Sequence, residues 1–234
     1  MKIGIIGAME PEIALLKEQM TIERTYEQAR MQFVEGLLGE VPVVVVQSGI
    51  GKVNAAACTQ ILIDTFAVTH VINTGIAGLL SPELQVGDIV ISSDLVQHDM
   101  NVGPLNFAAG QIPGLPVFSF TADEGLVEHA LASAKEVAPQ LQVISGRVAS
   151  GDRFVSSSEL ADHIYTTFGA DCCEMEGASI AQVAWLNHTP FVVIRLMSDK
   201  PGTTSSVDYL TFEREASERS ARITAAIIKK LALI

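Results

Sequence analysis

Acidic residues follow several apolar segments of this chain, at points where a strand is expected to end. Glu12 comes shortly after the first apolar segment, and Asp199 ends the last one. Between them, Glu174 and Glu176 flank a methionine in the stretch "DCCEMEGASIAQ". Because a buried carboxylate without a partner is very costly, acids in such places need a function or a counter-charge. Carboxyl groups that meet in one cavity can donate and accept protons, so the pattern indicates general acid–base catalysis.

Each acid also has a simpler structural explanation. Glu12 lies in the first turn of a predicted helix, where a carboxylate interacts favourably with the helix dipole, and Asp199 could begin a loop. We predict that Glu174 faces the opposite side of its strand from Glu176, and we assign it no catalytic role. Arg195 lies inside an apolar segment and needs a partner if it is buried. The joint occurrence of the acids at strand ends favours a catalytic site.

Short β-branched segments alternate with helical patterns along the chain. Strands are predicted at residues 2–7, 41–49, 70–75, 87–92, 143–150 and 191–198, with a short one at 172–176. Helices are predicted at about 10–19, 52–66, 124–136, 157–168, 177–187 and 208–232. The alternation predicts an α/β fold in which a single domain, residues 1–234, has a mixed, mostly parallel central sheet covered by helices on both sides. Ligands of such sheets bind beyond the carboxyl ends of the strands, where the acids are expected.

Composition and charge narrow the class of protein. The chain has 234 residues, 48% of them apolar, and its formal net charge of -12 argues against a nucleic-acid-binding or anionic-membrane surface. No apolar run reaches membrane-spanning length, and an acidic residue comes too early for a secretion signal. Cys58, Cys172 and Cys173 lack the spacing of metal ligands and are expected to be reduced thiols. We expect a cytoplasmic protein with no metal site.

A set of motifs resembles a known family. "MKIGIIGAMEPEI", "SGIGKVNAA", "NTGIAG", "VGDIVIS", "SGDRF", "EMEGASIAQVA" and "PFVVIRLMSD" occur in this order over nearly the whole chain. Together they resemble the 5'-methylthioadenosine/S-adenosylhomocysteine nucleosidases of the nucleoside phosphorylase superfamily. The pair "EMEGASIA" and "RLMSD" is highly specific, whereas "SGIGK" alone would be weak. The resemblance implies a nucleoside phosphorylase-like fold, a small-molecule nucleoside as substrate and a role in methionine salvage.

The resemblance implies hydrolysis of the bond between adenine N9 and ribose C1', with no cofactor. Glu12 would be the general base on the attacking water, which Arg195 would help to hold. Asp199 would protonate adenine N7, because adenine leaves poorly as an anion, and Glu176 would hydrogen-bond the ribose diol. The other residues implied in substrate binding line the base, the sugar or the 5'-substituent: Met9, Ile50, Ile76, Gly78, Phe154, Val155, Met175 and Tyr209.

Two stretches differ from the pattern of the family. Ile76 stands where most members have serine beside the acid that protonates the base, so the tuning of Asp199 could differ. Residues 98–114 carry Asn101 and Phe107 in a region where the family has an aspartate and a tyrosine-containing aromatic segment. In the family this segment reaches the neighbouring subunit. The resemblance therefore implies a homodimer with residues 98–114 near the partner's pocket.

Three functions are compatible with the residues. A nucleosidase for 5'-substituted adenosines is favoured, but the residues do not rank methylthioadenosine, S-adenosylhomocysteine, 5'-deoxyadenosine or a futalosine-like nucleoside. A purine nucleoside phosphorylase of the same superfamily would need a basic phosphate site, and the loops "GAMEPEI" and "NTGIAGLLSPELQVG" contain no basic residue. A non-catalytic nucleoside-binding protein would not need both Glu12 and Asp199. We therefore predict that water is the nucleophile.

Overall fold

Strands and helices alternate through most of the computed structural model, which describes residues 1–202 and 206–231, with the backbone alone for 206–213. The strands are β1 (Ile3–Gly7), β2 (Thr21–Gln28), β3 (Met31–Leu38), β4 (Val41–Gln47), β5 (His70–Leu79), β6 (Ile89–Gln97), β7 (Phe120–Thr121), β8 (Val143–Ser150), β9 (Cys172–Glu174) and β10 (Phe191–Asp199). The helices are α1 (Glu10–Gln19), α2 (Lys52–Phe66), α3 (Glu124–Val137), α4 (Ser158–Phe168), α5 (Gly177–Leu186) and α6 (Ser206–Leu231). Within these ranges, no helix combines the length and the apolar character needed to cross a membrane.

The centre of the sheet consists of parallel strands that are apolar on both faces. β1 is buried along its whole length and pairs in parallel with β4 on one side and with β5 on the other. β5 continues in parallel to β10. Helices α1, α3 and α6 pack over one face of these strands, and α2 and α5 pack over the other. The predicted α/β class, with a central mixed sheet between helices, is confirmed.

Five strands close into a ring beside the central strands. β10 pairs antiparallel with β6, β6 pairs in parallel with β8, and β8 pairs in parallel with β9. β9 returns antiparallel to β5, which already pairs with β10. In this register Glu174 lies opposite Ser150, and Asp199 lies opposite Gly78. The ends of β8, β9 and β10 therefore reach the same part of β5.

The sequence prediction missed an antiparallel hairpin and shortened two strands. β2 pairs with β3, and β3 pairs with β4, so the sheet has more antiparallel pairing than we predicted. Nearly all of β2 is exposed, and its polar sequence "TIERTYEQ" lacks the pattern of a covered strand. β5 and β6 run past their predicted ends at residues 75 and 92, to Leu79 and Gln97.

Candidate active site

An open cavity lies where the parallel strands end. The wall is formed by the loops after β1, β4 and β8 and by the last residues of β5, β9 and β10. The wall residues are Ala8, Met9, Glu12, Ile50, Ile76, Ala77, Gly78, Arg153, Phe154, Val155, Cys173, Glu174, Met175, Glu176, Ser198 and Asp199.

Glu12 is buried where β1 turns into α1. Its Oε2 accepts a hydrogen bond from Met9 N at 3.0 Å, and its Oε1 accepts one from Ile76 N at 3.2 Å. The first bond supports the helix start, as the simpler explanation predicted, and the second joins Glu12 to β5. A Cβ on Gly75 would lie 2.5 Å from Glu12 Oε1, so glycine is needed to leave room for the carboxylate. Burial raises the pKa of Glu12, although the charge of Arg195 opposes this.

Arg195 forms a buried ion pair with Glu174. Its Nη2 lies 2.5 Å from Glu174 Oε2 and also donates to Asn73 Oδ1, while its Nη1 donates to the carbonyl oxygen of Ile194. Burial disfavours the charged guanidinium, but Glu174 and Glu12 beside it keep the pKa of Arg195 above its ordinary value. Removing one partner of such a pair would leave a buried charge uncompensated.

Glu174 lies on the cavity wall, so the prediction that it faces away from Glu176 was wrong. Strand residues two positions apart share a face, and β9 already ends at Glu174. The carboxylate accepts hydrogen bonds from the Ser150 hydroxyl and from the N–H groups of Glu176 and Gly177, the latter two at 3.1 and 2.7 Å. Glu174 therefore connects β8 and the start of α5 to Arg195.

Glu176 lies between β9 and α5. Its Oε1 accepts a hydrogen bond from Gly51 N at 2.8 Å, in the loop that follows β4. The φ of Gly51 is 97°, a backbone conformation that favours glycine. Burial and, next, the charge of Glu174 raise the pKa of Glu176 to about 8, while the Gly51 N–H opposes the rise. We call Glu12, Glu174, Glu176 and Arg195 the network end of the cavity.

Asp199, with Ser198 and Gly78, forms what we call the Asp199 end of the cavity. Ser198 Oγ donates to Asp199 Oδ1 at 2.7 Å. Burial raises the pKa of Asp199, and the hydrogen bond from Ser198 lowers it. Asp199 pairs with Gly78 of β5, whereas Glu12 binds the N–H of Ile76 and lies against Gly75. These positions are two to three residues apart along β5, which is a spacing of roughly 7–10 Å between the parts of the strand that the two acids contact.

Apolar side chains cover the rest of the wall. Ile50 and Phe154 are 55% and 57% exposed at the opening, whereas Ile76 and Val155 are buried. Met9 and Met175 are half-buried between them. An apolar wall with a few converging polar groups is typical of a site that binds a small organic molecule.

The two ends of the cavity can carry out different proton transfers. Two carboxyl groups whose environments differ can act as a proton donor and a proton acceptor in one reaction. Among the residues that the structure describes, no three His, Cys, Asp or Glu side chains are grouped so that they could hold a metal ion. The chemistry that this geometry offers is acid–base catalysis by carboxyl groups.

Known proteins share this architecture over the whole chain. The family model described as the phosphorylase superfamily matches residues 2–229. A 5'-methylthioadenosine/S-adenosylhomocysteine nucleosidase from Anoxybacillus flavithermus is 42% identical over 232 residues, which cover 99% of each chain. The chain belongs to the 5'-methylthioadenosine/S-adenosylhomocysteine nucleosidase family.

Solved structures agree with this membership. The nucleosidase from Colwellia psychrerythraea, in complex with adenine, aligns with a TM-score of 0.93 and 40% identity over 99% of this chain and 96% of that chain. A futalosine hydrolase from Helicobacter pylori aligns with a TM-score of 0.90 and 31% identity over 98% of this chain and 97% of that chain. The nucleosidase fold therefore also occurs in an enzyme named for another nucleoside.

In this member of the nucleosidase family, the cavity brings together most residues that the sequence singled out. Arg195 is not among the wall residues; it lies behind them and contacts Glu174. The side chain of Tyr209 lies outside the described residues. No residue of 98–114, a segment that the structure describes throughout, lies on this wall. The other predicted residues do: Met9, Glu12, Ile50, Ile76, Gly78, Phe154, Val155, Met175, Glu176 and Asp199.

Sequence reasoning missed three polar side chains of the wall. Glu174 could have been recognised, because its two-residue spacing from Glu176 is compatible with one shared face. Ser198 directly precedes Asp199, and that adjacency could have suggested a local hydrogen bond. Nothing in the motif "SGDRF" indicated that Arg153 would reach the cavity.

Proposed function

We propose that the chain hydrolyses the N-glycosidic bond of 5'-substituted adenosines and releases adenine and the 5'-substituted ribose. The observation that carries the proposal is that Glu12 and Asp199 line one cavity and contact different positions along β5. The nucleosidase name of a relative that is 42% identical supports it, as does the adenine bound to the Colwellia relative. The proposed substrates are methylthioadenosine, S-adenosylhomocysteine and 5'-deoxyadenosine.

Asp199 donates a proton to adenine N7 as the bond between C1' and N9 breaks. Burial raises the pKa of Asp199, which favours its protonated form. Glu12 accepts a proton from the water that attacks C1', and Glu176 binds the ribose diol. The negative charge of the network end stabilises the positive charge that develops at C1'. An acid and a base at different positions along β5 can act on opposite sides of the bond with a water between them, as in inverting glycosidases.

Water is favoured over phosphate as the nucleophile by the charges of the network end. Glu12, Glu174 and Glu176 lie together there, and Glu174 already pairs with Arg195. A phosphate dianion beside the ionised Glu12 would be repelled at a cost of several kcal/mol for an effective dielectric constant of about 20, whereas neutral water would not. The geometry therefore supports a hydrolase rather than a phosphorylase.

Adenine release with and without millimolar phosphate tests this proposal. We expect the rate to be independent of phosphate and the sugar product to be the free 5'-substituted ribose. The Glu12→Gln variant, measured in parallel, controls for release by a contaminating enzyme. A rate that rises with phosphate, or a ribose 1-phosphate product, would show that the chain is a phosphorylase.

A futalosine-like nucleoside is the second candidate substrate, and the likeness to the Helicobacter hydrolase is the observation that favours it. The same wall can serve both substrates, because the acids act at the bond between the base and C1'. Measuring kcat/KM for both nucleosides on one preparation decides between them. A higher value for futalosine would make it the preferred substrate.

We also propose that residues 1–234 act as one cytoplasmic nucleosidase domain in methionine salvage, and that two copies form a homodimer. Several large apolar side chains are exposed and could be covered by a second copy: Val53 at 79%, Leu105 at 67% and Phe118 at 40%. Leu105 lies in the segment 98–114, which is predicted to reach the partner's pocket. Light scattering at the assay concentration tests assembly, and a fully active monomer would refute it.

A further inference from the structure

The segment Gly151–Ser156, which we call the mouth segment, crosses the opening of the cavity. Near its start, Asp152 N donates to Asp99 Oδ2 at 2.9 Å, and Asp152 Oδ1 accepts from Lys52 N at 2.8 Å. Lys52 follows Gly51, whose N–H binds Glu176 at the network end. The start of the mouth segment therefore lies beside the network end.

The other end of the mouth segment lies beside Asp199. Gly202 N donates to the carbonyl oxygen of Ser156 at 3.0 Å, three residues after the end of β10. The segment thus runs from the network end, where the proposed function places the sugar, to the Asp199 end, where it places the base. Arg153 directly follows Asp152, which is hydrogen-bonded to Lys52, so Arg153 stands on the sugar side of the opening.

Arg153 is the one basic side chain among the described residues of the wall. It is exposed, and its charge is among those that lower the pKa of His98. The nearby Lys52 is held in an ion pair, because its Nζ lies 2.6 Å from Asp99 Oδ1 and 3.0 Å from Gln97 Oε1. Arg153 therefore places a charged, planar donor group at the opening.

Apart from Arg153, the described residues of the wall offer an anionic ligand no counter-charge. Glu12, Glu174, Glu176 and Asp199 are all carboxyl groups, and the chain as a whole has a net charge of -12. A 5'-substituent that ends in a carboxylate would be repelled unless a cation stood near the place where it leaves the cavity. A guanidinium matches a carboxylate with two parallel hydrogen bonds, and adenine offers no anionic group that would need one.

We propose that Arg153 determines specificity by binding a carboxylate at the end of the 5'-substituent. The inference rests on the proposed function, since it takes the 5'-substituent to leave the cavity on the sugar side. It assigns to the mouth segment a preference for nucleosides whose tail carries a carboxylate, as the amino-acid tail of S-adenosylhomocysteine does, over those with a short tail that has none.

Three substrates and three variants test the inference. The substrates are 5'-methylthioadenosine and two analogues with an equal three-carbon thioether chain, one ending in a carboxylate and one in an amine. Arg153→Gln should lower the ratio of kcat/KM for the carboxylate to kcat/KM for methylthioadenosine by about fivefold, the upper range for an exposed charge pair. Arg153→Lys should restore part of the ratio. Arg222→Gln, which removes an exposed arginine of α6, should leave it unchanged.

Salt supplies an independent readout. Added sodium chloride should raise KM for the carboxylate substrate in the wild type and have much less effect in Arg153→Gln, because the charge pair is screened. An unchanged ratio in Arg153→Gln, or equal losses with all three substrates, would overturn the inference. If the wild type released adenine from none of the three substrates, the proposed function itself would fail, so the two failures are distinguishable.

Discussion

The two ends of the cavity use carboxyl groups in opposite ways. At the network end, Glu174 accepts four hydrogen bonds or ion-pair contacts, from Ser150, Glu176, Gly177 and Arg195. At the Asp199 end, the one hydrogen bond to the Asp199 side chain from a described residue comes from the adjacent Ser198. The many contacts of Glu174 fix the positions of the charged groups at the network end. A carboxyl group with few hydrogen bonds, such as Asp199, can gain and lose a proton with little effect on its surroundings.

Removing either proposed catalytic acid should have the largest effect. Glu12→Gln and Asp199→Asn should each lower kcat by about 10²–10⁴, the usual contribution of a general acid or base. Steady-state adenine release measures the loss, and circular dichroism controls for folding. Near-native turnover in either folded variant would refute the role assigned to that acid.

Substitutions at the two ends should also differ strongly in their effect on the free energy of unfolding. Glu174→Gln leaves Arg195 buried without its ion-pair partner and should lower the free energy of unfolding by about 3–5 kcal/mol. Asp199→Asn, as the matched acid-to-amide control, should cost far less, because burial disfavours its charged form. Urea unfolding of both variants measures the difference. Equal losses would mean that the network is no more important to the fold than a single hydrogen bond.

The pH dependence of the free energy of unfolding should show a contribution from Glu176 at the network end. The pKa of Glu176 is raised from 4.5 to about 8, so the folded chain keeps a proton that the unfolded chain has lost. The free energy of unfolding should therefore fall as pH rises through this window, by up to about 1.4 kcal/mol per pH unit. Glu176→Gln should remove that part of the slope.

The comparison of Glu176→Gln with the wild type isolates this group from other titrations. The pKa values of His70 and His98 are lowered, chiefly by burial, and their contribution runs in the opposite direction, with stability rising as the unfolded histidines lose their protons. Both histidines are present in both proteins, so their effect cancels in the difference. Parallel stability curves across the window would contradict the raised pKa of Glu176.

The sequence predicted those parts of the fold that depend on one strand or helix at a time. The apolar character of β1 and β10 and the acids after them located the cavity, because the ends of parallel strands meet. β2 was missed because an exposed edge strand is held by backbone hydrogen bonds to β3, which leave no apolar pattern.

Contacts between elements that are far apart in the chain could not be predicted from the sequence either. The sequence predicted that a buried Arg195 needs a partner. That this partner is Glu174 follows from the pairing of β10 with β5 and of β5 with β9. The place of Arg153 depends likewise on hydrogen bonds from the mouth segment to Asp99 and Lys52. Such pairings join residues far apart in the chain, and a single sequence carries no local trace of them.

The smallest effect should come from changing the neighbours of Asp199. Ser198→Ala removes a hydrogen bond that lowers the pKa of Asp199, so the basic limb of the kcat profile should move to higher pH. Ile76→Ser should move it the other way. Residue 76 lies two positions before Gly78 on the same face of β5, and a hydroxyl there would add a donor near Asp199.

Either change should alter kcat at neutral pH by no more than about fivefold, since one hydrogen bond contributes about 1 kcal/mol. The double variant Ile76→Ser/Ser198→Ala tests whether the two hydroxyl groups substitute for each other. A profile close to that of the wild type would show that one donor at either position is enough to set the pKa of Asp199. If Ser198→Ala alone left the basic limb unchanged, another group would hold the Asp199 proton in place, and the Asp199 end would be as firmly bonded as the network end.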